Sequence, residues 1–272
     1  MVARVMPSAV LILVTAVMLT GCGRQASKES TPDLNLLAIG PERQALPTPR
    51  PFVAAALDAT GGLAAWEACK KIEFHAAVTA CERDGWYYLT EHDFVLCPWS
   101  EAVEVTAHEP RANLTWQVVR GQYHAAQGDP NADVSPLRSL SREYAEAVLR
   151  IATAPVRMLE DNALLSRRPA TMQIAGQWYL PIDAKYQEQT GSQEKTAEPY
   201  WAQGIYFQNL DRSLVDMIWL GNPVTHKFLI ARGYDYAPSA GAGVLIPTKI
   251  EVFQSDPEAN IGPRLALVDL KQ

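Results

Sequence analysis

The chain has no aromatic residue before Phe52; all 7 Trp, 10 Tyr and 6 Phe of its 272 residues lie at or beyond that position. A packed core is therefore expected to begin near residue 52, and what precedes it has another role. The chain also lacks an excess of positive charge. At a net charge of −6, a nucleic-acid binder driven by phosphate neutralisation is excluded. Four cysteines in 272 residues are too sparse for a disulfide-stapled mini-protein. Repeated long apolar runs are missing, which excludes a multispan membrane protein. Catalytic signatures are missing too. There is no Gly-x-Ser-x-Gly and no P-loop, and Gly241-Ala242-Gly243 lacks the third glycine of a dinucleotide fingerprint. His108-Glu109-Pro110-Arg111-Ala112 has no second histidine, and Pro110 disfavours the helix a zinc-protease motif needs. No catalytic residue, no cofactor and no nucleic-acid partner is assigned.

What is present begins with an address. Arg4 is the one early positive charge, and Ala9 to Leu19 is an apolar stretch interrupted only by Thr15. As a helix it would reach roughly 16 Å at ~1.5 Å per residue, which is signal-peptide length and short of a bilayer core. It ends in Leu19-Thr20-Gly21-Cys22, which resembles the lipobox of bacterial lipoproteins. That resemblance implies cleavage after residue 21, a diacylglycerol on the Cys22 thiol and acylation of its amine. Acyl chains buried at ~0.8 kcal/mol per CH₂ would then hold the protein at a membrane. Gly23 rather than Asp follows the cysteine, which by the enterobacterial sorting rule favours the outer membrane over the inner in a two-membrane organism.

Residues 22–51 read as a tether. They hold Pro32, Pro41, Pro47, Pro49 and Pro51 and no aromatic residue. A flexible chain of that length spans roughly 30 Å root-mean-square at ~5–6 Å × √n. Residues 52–272 are then long enough for one sizeable core. Phe52 to Ala59 is an alanine-rich helix that Gly61-Gly62 can end in left-handed geometry. Leu63, Trp66 and Cys69 recur at helical spacing. Ile72, Phe74, Ala76, Val78 and Ala80 alternate with polar or small residues, Asp84-Gly85 signals a hairpin, and Trp86 to Leu96 is the return strand. Val103 to Ala107 and Leu114 to Val118 continue an antiparallel meander.

Ser141, Glu143, Tyr144, Val148 and Ile151 mark a helix, which Pro155 cannot share; a second short helix starts at Thr153 or Ala154. Strands resume with Met172, Ile174, Trp178, Leu180 and Ile182 on one face and Gly176 as a bulge. Gln187 to Lys195 reads as an exposed loop. Segments around Ile205 and Phe207, Leu214 to Leu220, Lys227 to Tyr236, Pro247 to Phe253 and Leu265 to Leu270 follow. The expected fold is α+β: one strongly curved antiparallel sheet of about ten strands, covered by helices from the N-terminus and from mid-chain.

Three local features resemble the lipoprotein-localisation carriers (LolA/LolB-like), whose fold is a half-barrel with helices as a lid. They are Gly61-Gly62-Leu63-Ala64-Ala65-Trp66, Tyr206-Phe207-Gln208-Asn209-Leu210-Asp211-Arg212, and Gly243-Val244-Leu245-Ile246-Pro247-Thr248 before Lys249 to Val252. The chain departs from that pattern at Thr60, where relatives often carry histidine, and at Gln208, where an acid is usual. The resemblance implies a concave apolar interior suited to acyl chains or another apolar ligand, lined by Phe74, Val78, Val105, Trp116, Trp178 and Phe207; the plainer alternative is that these side chains fill a closed core.

Three cysteines remain beside Cys22. The preferred disulfide is Cys69–Cys97, which flank the first hairpin at similar distances from Asp84, with buried free thiols as the alternative. His75, His92 and His108 fall on three successive strands, but a one-residue change of register turns His92 to the opposite face, and no metal site is assigned. The sequence therefore reads as an envelope lipoprotein, held to the membrane by its N-terminal lipid. It would act as a non-enzymatic binding or carrier module for lipid or another apolar ligand. A module that engages a protein partner of the envelope, and after it a hydrolase, are the alternatives.

Overall fold

The computed structural model describes residues 50–81, 87–108, 113–127, 141–160, 162–187 and 201–271. The expected lipid-attachment residue Cys22, the expected tether up to residue 49, the expected turn at Asp84-Gly85, Glu109 to Ala112 and most of the loop expected at Gln187 to Lys195 lie outside them.

Helix α1, Pro51–Ala59, opens with proline at its first position, where the missing N–H costs nothing. It ends in a Schellman arrangement. The Gly62 N–H donates to Leu57 O at 2.8 Å, and Gly61 and Gly62 take φ of 115° and 88°. Helix α2, Leu63–Ala68, follows at once. Five strands form the first meander: β1 Ile72–Cys81, β2 Tyr87–Cys97, β3 Ala102–His108, β4 Asn113–Val119 and β5 Gln122–Gln127. Helices α3, Ser141–Ala152, and α4, Ala154–Arg157, come next, with Thr153 between them as the N-cap residue of α4. The second meander comprises β6 Ala163–Arg167, β7 Met172–Ile174, β8 Gln177–Tyr186, β9 Gln203–Asn209, β10 Val215–Asn222, β11 Lys227–Pro238, β12 Leu245–Ser255 and β13 Ile261–Lys271.

The thirteen strands among the described residues form one antiparallel sheet in the order β5-β4-β3-β2-β1-β13-β12-β11-β10-β9-β8-β6, with β7 hairpinned onto β8. The first and last strands pair at its centre, with Val78 opposite Val268. The two meanders therefore run outward from that seam. The chain must pass from one flank at β5 to the other at β6, and α3 and α4 lie on that crossing.

The sheet wraps around α3. Tyr144 of α3 reaches His92 on β2 at 3.3 Å, Glu143 is ion-paired with Lys227 on β11, and the Arg150 guanidinium lies 4.8 Å from the Tyr186 ring centroid on β8. On a flat sheet β2 and β8, seven steps apart, would be separated by roughly 34 Å at ~4.8 Å per strand. One helix touches both, so the sheet is strongly curved and open, with α3 on its concave side.

The expected α+β half-barrel is present, with thirteen strands among the described residues rather than about ten. The additional strands are β5, β6 and β7. Met172 to Ile182 is not one strand: Ala175 and Gly176 both take positive φ (49° and 83°) in a tight hairpin between β7 and β8. The turn separates what one alternation seemed to join, since Ile174 packs on the convex side while Leu180 and Ile182 face inward.

Candidate ligand-binding face

Register assigns every side chain of the sheet to one of two faces. The inner face carries Ile72, Phe74, Ala76 and Val78 of β1, opposite Leu96, Phe94, His92 and Thr90 of β2. It continues through Val103, Val105 and Ala107 of β3 and Val118, Trp116 and Leu114 of β4. Beyond the seam it comprises Val268 and Ala266, Ile250 and Val252, Ala231, Ile218 and Leu220, Tyr206, and Ile182. Nearly all are buried in one apolar cluster with Tyr144, Val148 and Ile151 of α3.

Of the six residues expected to line a cavity, Val78, Val105 and Trp116 lie in this cluster and are buried. Phe74 packs against it, its ring 4.8 Å from that of Phe94. Trp178 has the inward parity of Leu180 but is 48% exposed, so it does not take part in the buried face. Phe207 is on the wrong side. It pairs with Pro181 and Met217 on the convex face, in a second cluster with Tyr179, Ile205, Trp219, Phe228 and Ile230. Its neighbour Tyr206 is the inward residue, and the Tyr206 hydroxyl lies 2.6 Å from that of Tyr186. Two adjacent aromatics on one strand always divide between faces, and the sequence does not say which goes where.

The helix covering this face is unusual in what it buries. Every residue from Glu143 to Arg150 is buried, and Glu143, Glu146 and Arg150 are charged types. Arg150 pairs with Glu101 in the β2–β3 turn. Arg157 of α4 lies 3.8 Å from the same carboxylate, pairs with Glu160 at 2.5 Å and donates to Pro98 O. Glu101 sits at φ 51°, left-handed backbone that a side-chain-bearing residue seldom adopts; two arginines converge on it there. One carboxylate oxygen of Glu146, Oε2, has no hydrogen-bond partner among the described residues. Burial pushes its pKa up to about 7, against the pull of Arg150. His92, also on the inner face, is held down to about 3, chiefly by burial and then by His108. It is a neutral core histidine.

The disulfide expected between Cys69 and Cys97 is not formed; Cys69, Cys81 and Cys97 are free thiols. The β1–β2 register, Ile72 opposite Leu96, would continue to Lys71 opposite Cys97, leaving Cys69 two residues out of step. Cys69 belongs to the inner core, whereas Cys97 has outer parity and packs with Ala102, Val95 and Val119. Burial pushes both thiols up to about 11.

Thr60, the departure from the resembled motif, has a structural task. Its hydroxyl donates to Ala56 O at 2.8 Å and accepts the Trp66 indole N–H at 2.9 Å, closing α1 onto α2. Gln208, the other departure, donates to Phe52 O at 2.9 Å and Ser213 O at 3.1 Å. That ties α1 to β9 with donors an acid would not have. His75 and His108 lie on the convex face, opposite to His92, with Asp93 between them; sequence reasoning grouped the three histidines and missed the aspartate. Among the described residues, no helix is long and apolar enough to cross a membrane.

No family model matches the chain, and no curated protein sequence matches it. Among solved structures it is similar to a LolA superfamily protein from Nitrosomonas europaea, at 9% identity over 74% of this chain and 84% of that one, with a TM-score of 0.43. It is also similar to a DUF1329 family protein from Desulfovibrio piger, at 9% identity over 82% and 92% and a TM-score of 0.41. A third is a domain described as an outer membrane lipoprotein-sorting protein from Vibrio parahaemolyticus, at 5% identity over 74% and 83% and a TM-score of 0.38. What defines the half-barrel in this chain is its strand order and the reach of both flanks to α3.

Proposed function

We propose that this chain is an exported, lipid-anchored protein of the bacterial envelope that binds an apolar ligand, such as an acyl chain, between α3 and the inner face of the sheet. It does so without catalysing a reaction. In this reading residues 1–21 are the signal, Cys22 carries the lipid, residues 22–51 are the tether and residues 52–272 the binding domain. Gly23 favours the outer membrane, periplasmic side.

The observation that carries the reading is the mismatch between α3 and its seat. The inner face is apolar apart from Thr90 and His92 of β2, whereas the helix on it buries Glu143, Glu146 and Arg150. Buried charges are costly even when paired, so an apolar helix would be the tighter plug. Lifting α3 returns its charges to water, and an acyl chain can cover the apolar face it leaves.

The test is organic extraction and mass spectrometry of the full-length protein purified from membranes, with binding of a dansyl-labelled fatty acid as the second measurement. Co-purified lipid and saturable dansyl fluorescence are expected. Absence of both sinks the ligand reading. The anchor is tested separately: radiolabelled palmitate is incorporated by the wild type and not by Cys22→Ser.

A second reading, a module that engages another envelope protein, is favoured by Tyr87 (66% exposed) and Leu89 (73% exposed) on the convex side of β2. Photo-crosslinking from position 89 in cells that recovers no protein would remove it.

A further inference from the structure

We infer that the convex face of the half-barrel carries a binding site for a zinc-type divalent cation, with His75, Asp93 and His108 as ligands. The site does not depend on what the concave face binds. Three adjacent strands supply it: His75 of β1 stands directly opposite Asp93 of β2, and His108 of β3 stands opposite Glu91, one diagonal step from Asp93. Diagonal neighbours on one face of a sheet are within reach of long side chains.

The donor atoms already converge. His75 Nδ1 lies 2.6 Å from Asp93 Oδ1, His108 Nε2 lies 2.6 Å from Asp93 Oδ2, and one ligand atom from each residue falls within 4.8 Å of the others. A tetrahedral ion with bonds of about 2.0–2.2 Å needs ligand atoms roughly 3.3 Å apart. Small rotations of these three partly exposed side chains close that gap, and water can take the fourth position.

The ring nitrogens that face away from the centre have acceptors of their own. His75 Nε2 lies 3.6 Å from Glu91 Oε2, and His108 Nδ1 lies 3.3 Å from Asn113 Oδ1. An imidazole that ligates through one nitrogen and gives its other N–H to a carboxylate or amide oxygen is the common outer-shell arrangement of metal-bound histidine. His108 has this arrangement here through Asn113, while His75 has the Glu91 carboxylate within ion-pair distance. Glu91 is held in place by Lys271, and the backbone beneath is paired sheet on both sides of β1 and β2. Two imidazoles and one carboxylate select a borderline ion such as Zn²⁺ over Mg²⁺ or Ca²⁺, which prefer oxygen alone.

The test is calorimetric titration of ZnCl₂ into the full-length protein in detergent micelles, with melting temperature as a second readout. One ion per chain is expected, with an affinity weakened by about tenfold or more in each of His75→Ala, Asp93→Asn and His108→Ala. His226→Ala, in the exposed β10–β11 turn, keeps wild-type uptake. Zn²⁺ should raise the melting temperature of the wild type and not of the three variants, and excess Mg²⁺ or Ca²⁺ should not compete. No uptake by the wild type at about 100 μM Zn²⁺, or uptake that all three variants retain, overturns the assignment.

Discussion

The guanidinium of Arg150 lies 4.8 Å from the ring centroid of Tyr186, which joins the helix crossing the concave face to a strand seven steps from β2 in the sheet. The same side chain pairs with Glu101 in the β2–β3 turn. A single buried cation thus touches both flanks of the curved sheet. Removing one partner of such a pair strands the other in the interior, at a cost of about 3–5 kcal/mol. Glu101→Gln and Arg150→Met should each lower stability by that order in urea denaturation. The double variant should lose clearly less than the two singles combined, and simple additivity would show that the pair is not coupled.

Glu146 sets a pH dependence. Its pKa is about 7 in the folded chain against an ordinary 4.5, because burial disfavours the carboxylate. Between those values the folded state keeps a proton that the unfolded state has released. Stability therefore falls as pH rises through the window, on the order of 1 kcal/mol per pH unit, and levels off above it. Glu146→Gln removes the titration. Denaturation midpoints measured from pH 5 to 8 should fall less steeply for the variant than for the wild type; equal slopes would place the acid in water.

Thr60 and Trp66 offer a third check. Thr60→Val keeps the shape but removes the acceptor of the buried indole N–H, and an unsatisfied buried donor costs about 1–3 kcal/mol. Thr60→Ser should retain most of the stability. Gly61→Ala should be as damaging as Thr60→Val for a different reason, since its φ is +115° and a Cβ there would stand 3.0 Å from Gly243 O.

The cysteines should differ in reactivity. Cys69 and Cys97 are buried thiols pushed up to about 11, and a thiolate is the reactive form. Cys81 is only partly buried. In the native chain at pH 8, Ellman's reagent should modify Cys81 first, with Cys69 and Cys97 following only on unfolding. Peptide mapping without reductant should recover no Cys69–Cys97 link.

Much of the architecture was legible because sheet and helix leave periodic marks. Ile72 to Ala80 alternate and became β1; Tyr144, Val148 and Ile151 recur at helical spacing and became the buried stripe of α3. The failures cluster where local pattern carries no such mark. The β6 strand places exposed Leu164 beside buried Leu165, so no wet and dry faces were visible. The Ala175–Gly176 turn could be seen only as an irregularity. The inward expectation for Phe207 fails because nothing local distinguishes it from Tyr206. The His75–Asp93–His108 cluster was legible only in part: the sequence places the histidines on successive strands, but only register puts Asp93, not His92, on their face.

Composition and periodicity by themselves determined that strands dominate the fold and that a helical segment divides them, because burial of apolar side chains acts through spacing along the chain. Which strands meet was decided by the tertiary structure. Pairing β1 with β13 at the centre leaves β5 and β6 at opposite flanks, and the curvature that lets α3 touch both is a property of the whole sheet. The same pairing sorted the side chains: Val78 and Trp116 went inward beneath α3, while His75, Asp93 and His108 came together outside. Contacts between residues distant in sequence depend on register and curl, and no short stretch of the chain encodes either.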